Sequence, residues 1–444
     1  MPFFPLFGGW AEARWRRGVG PRQSGNLPAT LELSGLMSSL EIEFQAVPSI
    51  GDIPADAWDA CANPQLNGSS ASSSCVVRER YNPFVAHAFY DALESSRSAC
   101  PRTGWAAQHL IARRGEQIVG VVPCYMKSHS RGEYVFDGGW ADAYERAGGR
   151  YYPKLQVSVP FTPATGPRLL VREDITDAPA VRDLLAKGLM ALCRTVEASS
   201  VHVTFARKDE WDLLAANGFL QRTDKQFHWE NQGYATFDDF LGALNSRHRK
   251  QVKRERRDAV ANGITIERLT GKDLSEAAFD AFFQFYMQTG SRKWGSPYLT
   301  RDFYSRVGET MADDVLLVMA KRNGRWIAGA INFIGSDTLF GRHWGCIEHH
   351  NFLHFEVCYY QAIEFAISRG LKRVEAGAQG EHKLARGYMP TETFSAHYIP
   401  DPGFRHAVAD YLKRERQYVA HAVDELSEYA PFRKDGGAQD REEP

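Results

Sequence analysis

The stretch LLVMAKRNGRWIAGAINFIGS (residues 316–336) decides the fold, because its pattern recurs as HLIARRGEQIVGVVPCYMKS at residues 109–128. In each copy, two apolar segments flank a short polar turn that contains a glycine. This pattern predicts a β-hairpin, in which the glycine supplies the positive φ angle that a tight turn needs. A repeated hairpin predicts a chain built from two similar α/β halves.

The same order of patterns follows the hairpin in both halves. A further strand with a Gly–Trp element is predicted within residues 133–155 and 338–360. A helix comes next, in VRDLLAKGLMALCRTVEASS and HFEVCYYQAIEFAISRG, and then a short apolar strand, in VHVTFA and RVEAG. Two units of about 180–200 residues suit a chain of this length. We therefore predict domains at residues 38–232 and 233–434.

The two ends of the chain lie outside these predicted domains. Residues 1–37 open with prolines among apolar residues and are rich in arginine. We interpret them as a disordered leader or a mis-assigned start, with Met37 as the natural first residue. Residues 435–444 are almost entirely polar, and we predict a disordered tail there.

Composition narrows the classes of function. Lys plus Arg (53) balance Asp plus Glu (54), so the net charge indicates neither a nucleic-acid nor a membrane partner. The seven cysteines form no CxxC pair, which argues against a zinc ribbon or disulfide scaffold and favours a cytoplasmic protein with reduced thiols. No apolar run reaches about 18 residues, so no membrane insertion is predicted. The histidines within residues 343–354 match no zinc spacing, so no metal is predicted.

Four segments carry a resemblance to a known family. They are NPFVAHAFYDALE (82–94), GEYVFDGGWADAYERAGGRYYPKLQVSVPFTPATGPRLL (132–170), HFEVCYYQAIEFA (354–366) and GAQGEHKLARGY (377–388). With the repeated element order, they make residues 82–434 resemble the FemAB-like group of predicted N-acyltransferases, relatives of the Fem-type aminoacyltransferases. The resemblance implies an α/β (α+β) fold of two tandem GNAT-like domains, each a mixed twisted sheet flanked by helices.

The resemblance also implies a reaction. An N-acyltransferase transfers an acyl or aminoacyl group to an amine acceptor, here a small-molecule amine or a muropeptide amine, with acyl-CoA or aminoacyl-tRNA as co-substrate. The phosphate loop of acetyl-CoA enzymes has no counterpart in GCIEHHNFLHFE (345–356), which leaves open tRNA or another mode of CoA binding. The alternative is a non-catalytic module of the same fold that recognises a peptidoglycan fragment or nucleic acid. The oligomeric state stays open.

The loop GAQGEHKLARGY follows the predicted last strand of the second half, at the sheet edge where open α/β folds bind ligands. Glu381 and His382 are rival candidates for the catalytic base, because both side chains titrate near neutral pH in suitable surroundings. Lys383 and Arg386 are candidate anion holders, with Tyr388 beside them. The competing interpretation is a solvated turn. Glu356 is a further catalytic candidate, although an acid in the first turn of a helix is ordinary.

Other substrate-binding candidates lie in the two Gly–Trp segments. In the GNAT fold, two central strands splay around the reacting carbonyl. The resemblance places this splay between residues 332–334 and 343–345, which Arg342 adjoins. Trp344 and Trp140 occupy matching places in the repeats, with core packing as the alternative. Asp142 and Tyr144 belong to a polar and aromatic cluster, and PFTPATGPR (160–168) predicts a rigid pocket wall.

One predicted helix, NSRHRKQVKRERRDAVANG (245–263), is locally very basic. Its cations recur three or four residues apart and share one face, where like charges repel. A phosphate-rich partner such as RNA, CoA or a nucleotide-linked acceptor would relieve that repulsion, and a solvated charged face is the alternative. The candidate phosphate-binding residues are Arg247, Lys250, Lys253, Arg254 and Arg257.

Overall fold

The structure is a computed structural model, which describes residues 42–64, 81–294, 297–378 and 380–433, without the side chains of 291–294. The predictions for residues 1–37 and 435–444 concern parts of the chain outside these ranges. Within the described ranges, no helix is long and apolar enough to cross a membrane.

The first half begins with a strand and two helices, continues with a hairpin, and ends with a helix and further strands. Its elements are β1 (Glu43–Val47), α1 (Ala55–Ala62), α2 (His87–Ser95), β2 (Trp105–Ala107), β3 (His109–Arg114), β4 (Gln117–Val122), β5 (Cys124–Lys127), α3 (Gly138–Arg146), β6 (Lys154–Val157), β7 (Leu170–Val171), α4 (Ala178–Thr195), β8 (Val201–Ala206), α5 (Lys208–Ala216) and β9 (Leu220–Glu230).

The second half repeats this order after two linking helices. Its elements are α6 (Phe237–Ala243), α7 (Ser246–Ala259), β10 (Ile264–Leu269), α8 (Glu276–Trp294), α9 (Arg301–Thr310), β11 (Val315–Arg322), β12 (Arg325–Ile334), β13 (Thr338–Cys346), α10 (Leu353–Phe355), a π-helical segment (Glu356–Tyr360), α11 (Gln361–Ser368), β14 (Arg373–Glu375), a 3-10 helix (Glu381–Arg386), β15 (Met389–Tyr398) and α12 (Pro402–Glu428). The recurring order confirms the predicted mixed α/β chain of two similar halves.

Both predicted hairpins are present. β3 pairs antiparallel with β4, and β11 pairs antiparallel with β12. Gly115 and Gly324 occupy the turns with φ angles of 56° and 76°, in the left-handed region that glycine adopts at little cost. The helices α4 and α11 and the strands β8 and β14 also lie where the sequence predicts them.

The prediction of a strand at the start of residues 133–155 is wrong. The backbone reverses at Gly132 and Tyr134, whose φ angles are 83° and 61°, and an extended strand cannot pass through such angles. Glu133 and Asp137 then both bind the buried ammonium group of Lys154, which holds the segment curved. Helix α3 follows directly.

The two halves share one large sheet. Its eleven strands run in the order β10-β11-β12-β13-β14-β9-β15-β8-β6-β5-β2, and a separate four-stranded sheet runs β1-β3-β4-β7. The last strand of the second half, β15, lies between β9 and β8 of the first half and pairs antiparallel with both. The strand β9 in turn pairs with β14. The second half therefore completes the sheet of the first.

The strands also correct the predicted position of the splay. The prediction placed it between β12 and β13, but these strands stay paired from Ile334↔Leu339 to Ala328↔Cys346. The separation occurs instead between β13 and β14, which run parallel for three residue pairs and end with Phe340↔Glu375. Beyond that pair β13 continues towards Cys346, while β14 stops because Gly377 turns the chain with a φ angle of 72°.

Candidate functional site

The opening between β13 and β14 is lined by charged and aromatic groups from both halves. Arg342 lies on the β13 side of the opening. The register shifts there, so that Ile331 faces His343 and Asn332 faces Gly341 across β12 and β13. Arg342 is therefore the extra residue of a β-bulge, and bulges re-aim side chains at functional sites.

Glu375 lies on the β14 side of the opening and is 5% exposed. Burial raises the pKa of its carboxyl group to about 7, against the opposing effect of the Arg373 and Arg342 guanidinium groups. The backbone N–H of Thr165 donates to this carboxyl group. Its Oε2 atom has no hydrogen-bond partner among the described residues. A carboxyl group that titrates near pH 7 suits a general base.

The first half supplies two residues that hold Arg342. The guanidinium group donates to the backbone carbonyl of Phe161 and interacts with the hydroxyl group of Tyr134. Tyr134 and Phe161 have φ angles of 61° and 58°, which are unusual for bulky side chains. Such strained residues concentrate at functional sites. The Phe161 ring also stacks on Tyr298 of the second half at 4.8 Å.

The loop at residues 160–168 lies beside the opening, where it contacts Arg342 through Phe161 and Glu375 through Thr165. The carbonyl of Pro163 accepts a hydrogen bond of 2.7 Å from the side-chain amide of Gln226 on β9. His228, two residues further along β9, pairs across the sheet with Glu375. Burial lowers the pKa of His228 to about 3, so its ring is neutral at physiological pH.

The loop GAQGEHKLARGY begins two residues after Glu375 and folds into the 3-10 helix. Lys383 is buried, and its ammonium group donates to the carbonyl groups of Ala376 and Gly377 at 2.5 and 3.1 Å. Burial lowers the pKa of Lys383 to about 8. The side chain predicted to hold an anion thus anchors the loop to the end of β14.

Arg386 in the same loop is also buried and bound to protein groups. Its guanidinium group forms a bidentate ion pair with Glu255 of α7, in which Nε and Nη2 donate at 3.1 and 2.8 Å. The guanidinium group lies over the Phe355 ring, 3.5 Å from its centroid. Tyr388 is fully buried and its hydroxyl group donates to the carbonyl of Tyr359.

The two predicted bases of this loop are exposed. Glu381 makes no hydrogen bond or ion pair with the described residues. The His382 Nε2 atom lies 3.2 Å from the Tyr359 hydroxyl group. Partial burial, with the nearby Arg386 and Lys383 charges, lowers the pKa of His382 below its ordinary value.

Glu356 lies within the helical segment that follows β13, and Trp344 lies on β13 beside the start of that segment. Glu356 is 2% exposed in the π-helical segment and is held by Arg256 of α7 and by the side-chain amide of Gln361. Trp344 lines a pocket of about 210 Å³ at the start of this helix, together with His349, His350 and His354. The described ranges contain no group of three His, Cys, Asp or Glu side chains that could hold a metal ion.

The three candidates of α3 pack against other elements. Trp140 is buried against His202 of β8 and His397 of β15. The ring of Tyr144 stacks on Phe404 of α12 at 4.3 Å. Asp142 is exposed. The structure therefore does not bring these residues together with Arg342 and Glu375.

Helix α7 separates its charges between two faces. Val252, Glu255 and Ala259 are buried. Arg256 is half-buried and bound to Glu356 and Glu364. All five predicted phosphate-binding residues are exposed, and only Arg257 forms an ion pair with a described residue, its neighbour Asp258. These residues form the basic face of α7: Arg247, Lys250, Lys253, Arg254 and Arg257.

Sequence reasoning missed Glu375. It lies in RVEAG, whose apolar pattern predicts a strand but no role for this residue. The available signal was an acidic residue inside a strand predicted to be buried, immediately before a glycine-rich loop. Burial of a carboxylate is costly unless the group is paired and hydrogen-bonded, and this cost indicates function.

The fold and the opening define a class: a mixed α/β protein of two similar halves, with a charged site where two central strands separate. The chain belongs to the FemAB-like family, described as peptidoglycan biosynthesis/recognition, whose model matches residues 49–434.

Solved structures with similar folds share little sequence with the chain. FemX is 13% identical with a TM-score of 0.49, covering 80% of this chain and 98% of its own. A tandem GNAT protein from the clavulanic acid biosynthesis pathway is 14% identical with a TM-score of 0.41, covering 82% and 99%. L-PGS from Bacillus licheniformis is 8% identical with a TM-score of 0.44, covering 80% and 98%. No curated protein matches the sequence.

Proposed function

We propose that the chain is an N-acyltransferase whose reaction takes place at the opening between β13 and β14. The observation that carries this proposal is Glu375, a buried carboxyl group with a free oxygen atom and a pKa of about 7. The described residues at the opening include no nucleophilic cysteine or serine, so direct transfer from donor to amine is the simplest reaction.

Each group at the opening has a part in this reaction. The amine nitrogen of the acceptor forms a bond with the acyl carbon of a thioester or ester donor, and its proton passes to Glu375. The bond from the acyl carbon to sulfur or oxygen then breaks, and the leaving group takes up a proton. The backbone N–H groups of β13 beyond Phe340 would stabilise the oxyanion that forms on the acyl oxygen.

Glu381 and His382 remain rival bases. They lie on the loop at the same edge of the sheet, but both are exposed. An exposed side chain stays solvated, so its surroundings shift its pKa less towards the pH of the reaction. Glu375 is favoured because burial has already moved its pKa into the useful range.

The donor is proposed to be rich in phosphate, either acyl-CoA or aminoacyl-tRNA. The basic face of α7 supports this part of the proposal, because four of its five cations have no ion-pair partner among the described residues. Helix α7 is also joined to the loop after β14 through Glu255 and Arg386. Both donors are cytoplasmic molecules, so we place the chain in the cytoplasm. The family description supports a muropeptide amine as acceptor.

A second candidate, a phosphate-binding module without catalysis, is favoured by the same basic face. One experiment separates the two. The purified chain is incubated with acetyl-CoA, longer acyl-CoAs or charged tRNA and an amine mixture, and acyl-amide product is measured by mass spectrometry. We expect the wild-type chain and the Glu381→Gln variant to form product, and the Glu375→Gln variant to form none. Donor binding without product in any mixture supports the module instead.

A further inference from the structure

The opening contains the guanidinium group of Arg342 and the carboxyl group of Glu375, which do not form an ion pair with each other. Arg342 interacts electrostatically with Glu375, but the two form no ion pair within 4.0 Å. The guanidinium group has five N–H donors, and its protein partners are the Phe161 carbonyl and the Tyr134 hydroxyl. Among the described residues, no carboxylate pairs with Arg342.

This arrangement is energetically unusual. A guanidinium group that is largely removed from water and lacks a carboxylate partner pays a desolvation cost without a matching attraction. Burial lowers the pKa of Arg342, which expresses the same cost. Two other arginines of the second half differ from Arg342 in this respect, because Arg386 pairs with Glu255 and Arg256 pairs with Glu356.

Several aromatic groups lie near Arg342. Phe161 and Tyr298 stack on each other, and Tyr286 contacts His343 edge to face at 5.0 Å. Tyr134 also lies close enough to Tyr298 and Arg342 to interact with both electrostatically. A ligand that binds between Arg342 and Glu375 would meet a cation at one end and a carboxyl group at the other, with aromatic rings nearby.

We propose that the acceptor carries an amino-acid group, either as a free amino acid or as part of a muropeptide, whose carboxylate binds Arg342 while its amine faces Glu375. This inference rests on the proposed function, since it names the acceptor class of the same site. Arg342 matches a carboxylate because its planar fork donates two parallel hydrogen bonds. The free Oε2 atom of Glu375 accepts from the amine. The aromatic rings then contact the amino-acid side chain.

Matched ligands test the proposal without knowledge of the donor. Thermal shift and calorimetry compare L-phenylalanine with phenethylamine, and L-lysine with cadaverine, since each amine lacks only the carboxylate. At least one amino acid is expected to bind about tenfold or more tightly than its amine, as a charged bidentate pair implies. The proposal is overturned if each amino acid binds no more tightly than its amine. It is also overturned if neither amino acid binds at about 10 mM, which is near the weak limit for specific binding.

Two variants show where the carboxylate binds. Arg342→Gln is expected to abolish the preference for the amino acid over its amine, and Arg342→Lys is expected to retain part of it. Arg268→Gln is the matched control, because Arg268 is also half-buried but pairs with Glu364 away from the opening. If Arg342→Gln unfolds the chain, Arg342→Lys alone decides, and an unchanged preference in a folded Arg342→Lys counts against the proposal.

The outcomes also separate this inference from the proposed function. If acyl transfer to cadaverine or phenethylamine is as fast as transfer to the amino acids, the acyltransferase function is retained but the proposed acceptor class is wrong. Binding of an amino acid that depends on Arg342, with no transfer from any donor, retains the binding site and removes the acyltransferase function.

Discussion

Replacing Glu375 by glutamine is expected to stabilise the chain at alkaline pH while abolishing acyl transfer. The carboxyl group has an ordinary pKa of 4.5 and a pKa of about 7 in the folded chain. The folded state therefore binds more protons than the unfolded state between these values, and stability falls as the pH rises through this window. At 1.36 kcal/mol per unit, the loss at pH 8 is at most about 3 kcal/mol. Glutamine does not ionise and escapes this loss.

The neighbouring charges do not reverse this sign. Arg373, Arg342 and Glu230 face Glu375, and their effects are already contained in its raised pKa. His228 has a pKa of about 3 and stays neutral throughout the window. The glutamine carbonyl can still accept from the Thr165 N–H, so the variant keeps that hydrogen bond.

Thermal melts of wild type and Glu375→Gln at several pH values between 4.5 and 8 provide the assay. We expect the variant to melt roughly 5 °C higher at pH 8, with the difference vanishing near pH 4.5. Glu230→Gln is the control, because Glu230 is half-exposed and paired with Arg373, and its loss costs at most about 1 kcal/mol. A Glu375→Gln variant that melts below wild type by the same margin at both ends of the range refutes the reasoning. Full turnover in this variant refutes the assignment of the base.

Two further predictions concern the contacts of α7. Glu255→Gln leaves the buried Arg386 charge without its partner and should destabilise the chain by about 3–5 kcal/mol in urea unfolding, and adding Arg386→Met should restore part of the loss. No recovery in the double variant would contradict the ion-pair account. Charge reversal of Lys250, Lys253 and Arg254 should leave the melting temperature within about 1 °C, because these side chains are exposed, yet should weaken binding of a fluorescent oligonucleotide and reduce its salt dependence by about 2–3 units of log–log slope. Unchanged binding would leave the basic face as a solvated surface.

The sequence predicts the local parts of the fold well. The hairpins depend on neighbouring residues and on glycines at the turns, so their position follows directly from the pattern. The helices before β8 and β14 follow from apolar spacing in the same way. The basic face of α7 is also local, because residues three or four apart share a helix face whatever the rest of the chain does.

Long-range pairing is what the sequence does not predict. The insertion of β15 between β8 and β9 joins strands almost two hundred residues apart, as the 195 residues between His202 and His397 show. Arg386 reads as a free cation in its own loop, yet its partner Glu255 lies 131 residues earlier. The position of the splay was wrong for the same reason, because it depends on where β14 ends beside β13.

The opening between β13 and β14 is built from residues of both halves. The second half supplies Arg342 and Glu375, whose charges are unfavourable when left alone in a buried place. The first half supplies Phe161 and Tyr134, in backbone conformations that are themselves unfavourable. Neither set is explained by stability. Both sets of residues are explained if the shared sheet holds the two halves together. The sheet then keeps the carbonyl of Phe161 in contact with Arg342 and leaves the carboxyl group of Glu375 free for a ligand.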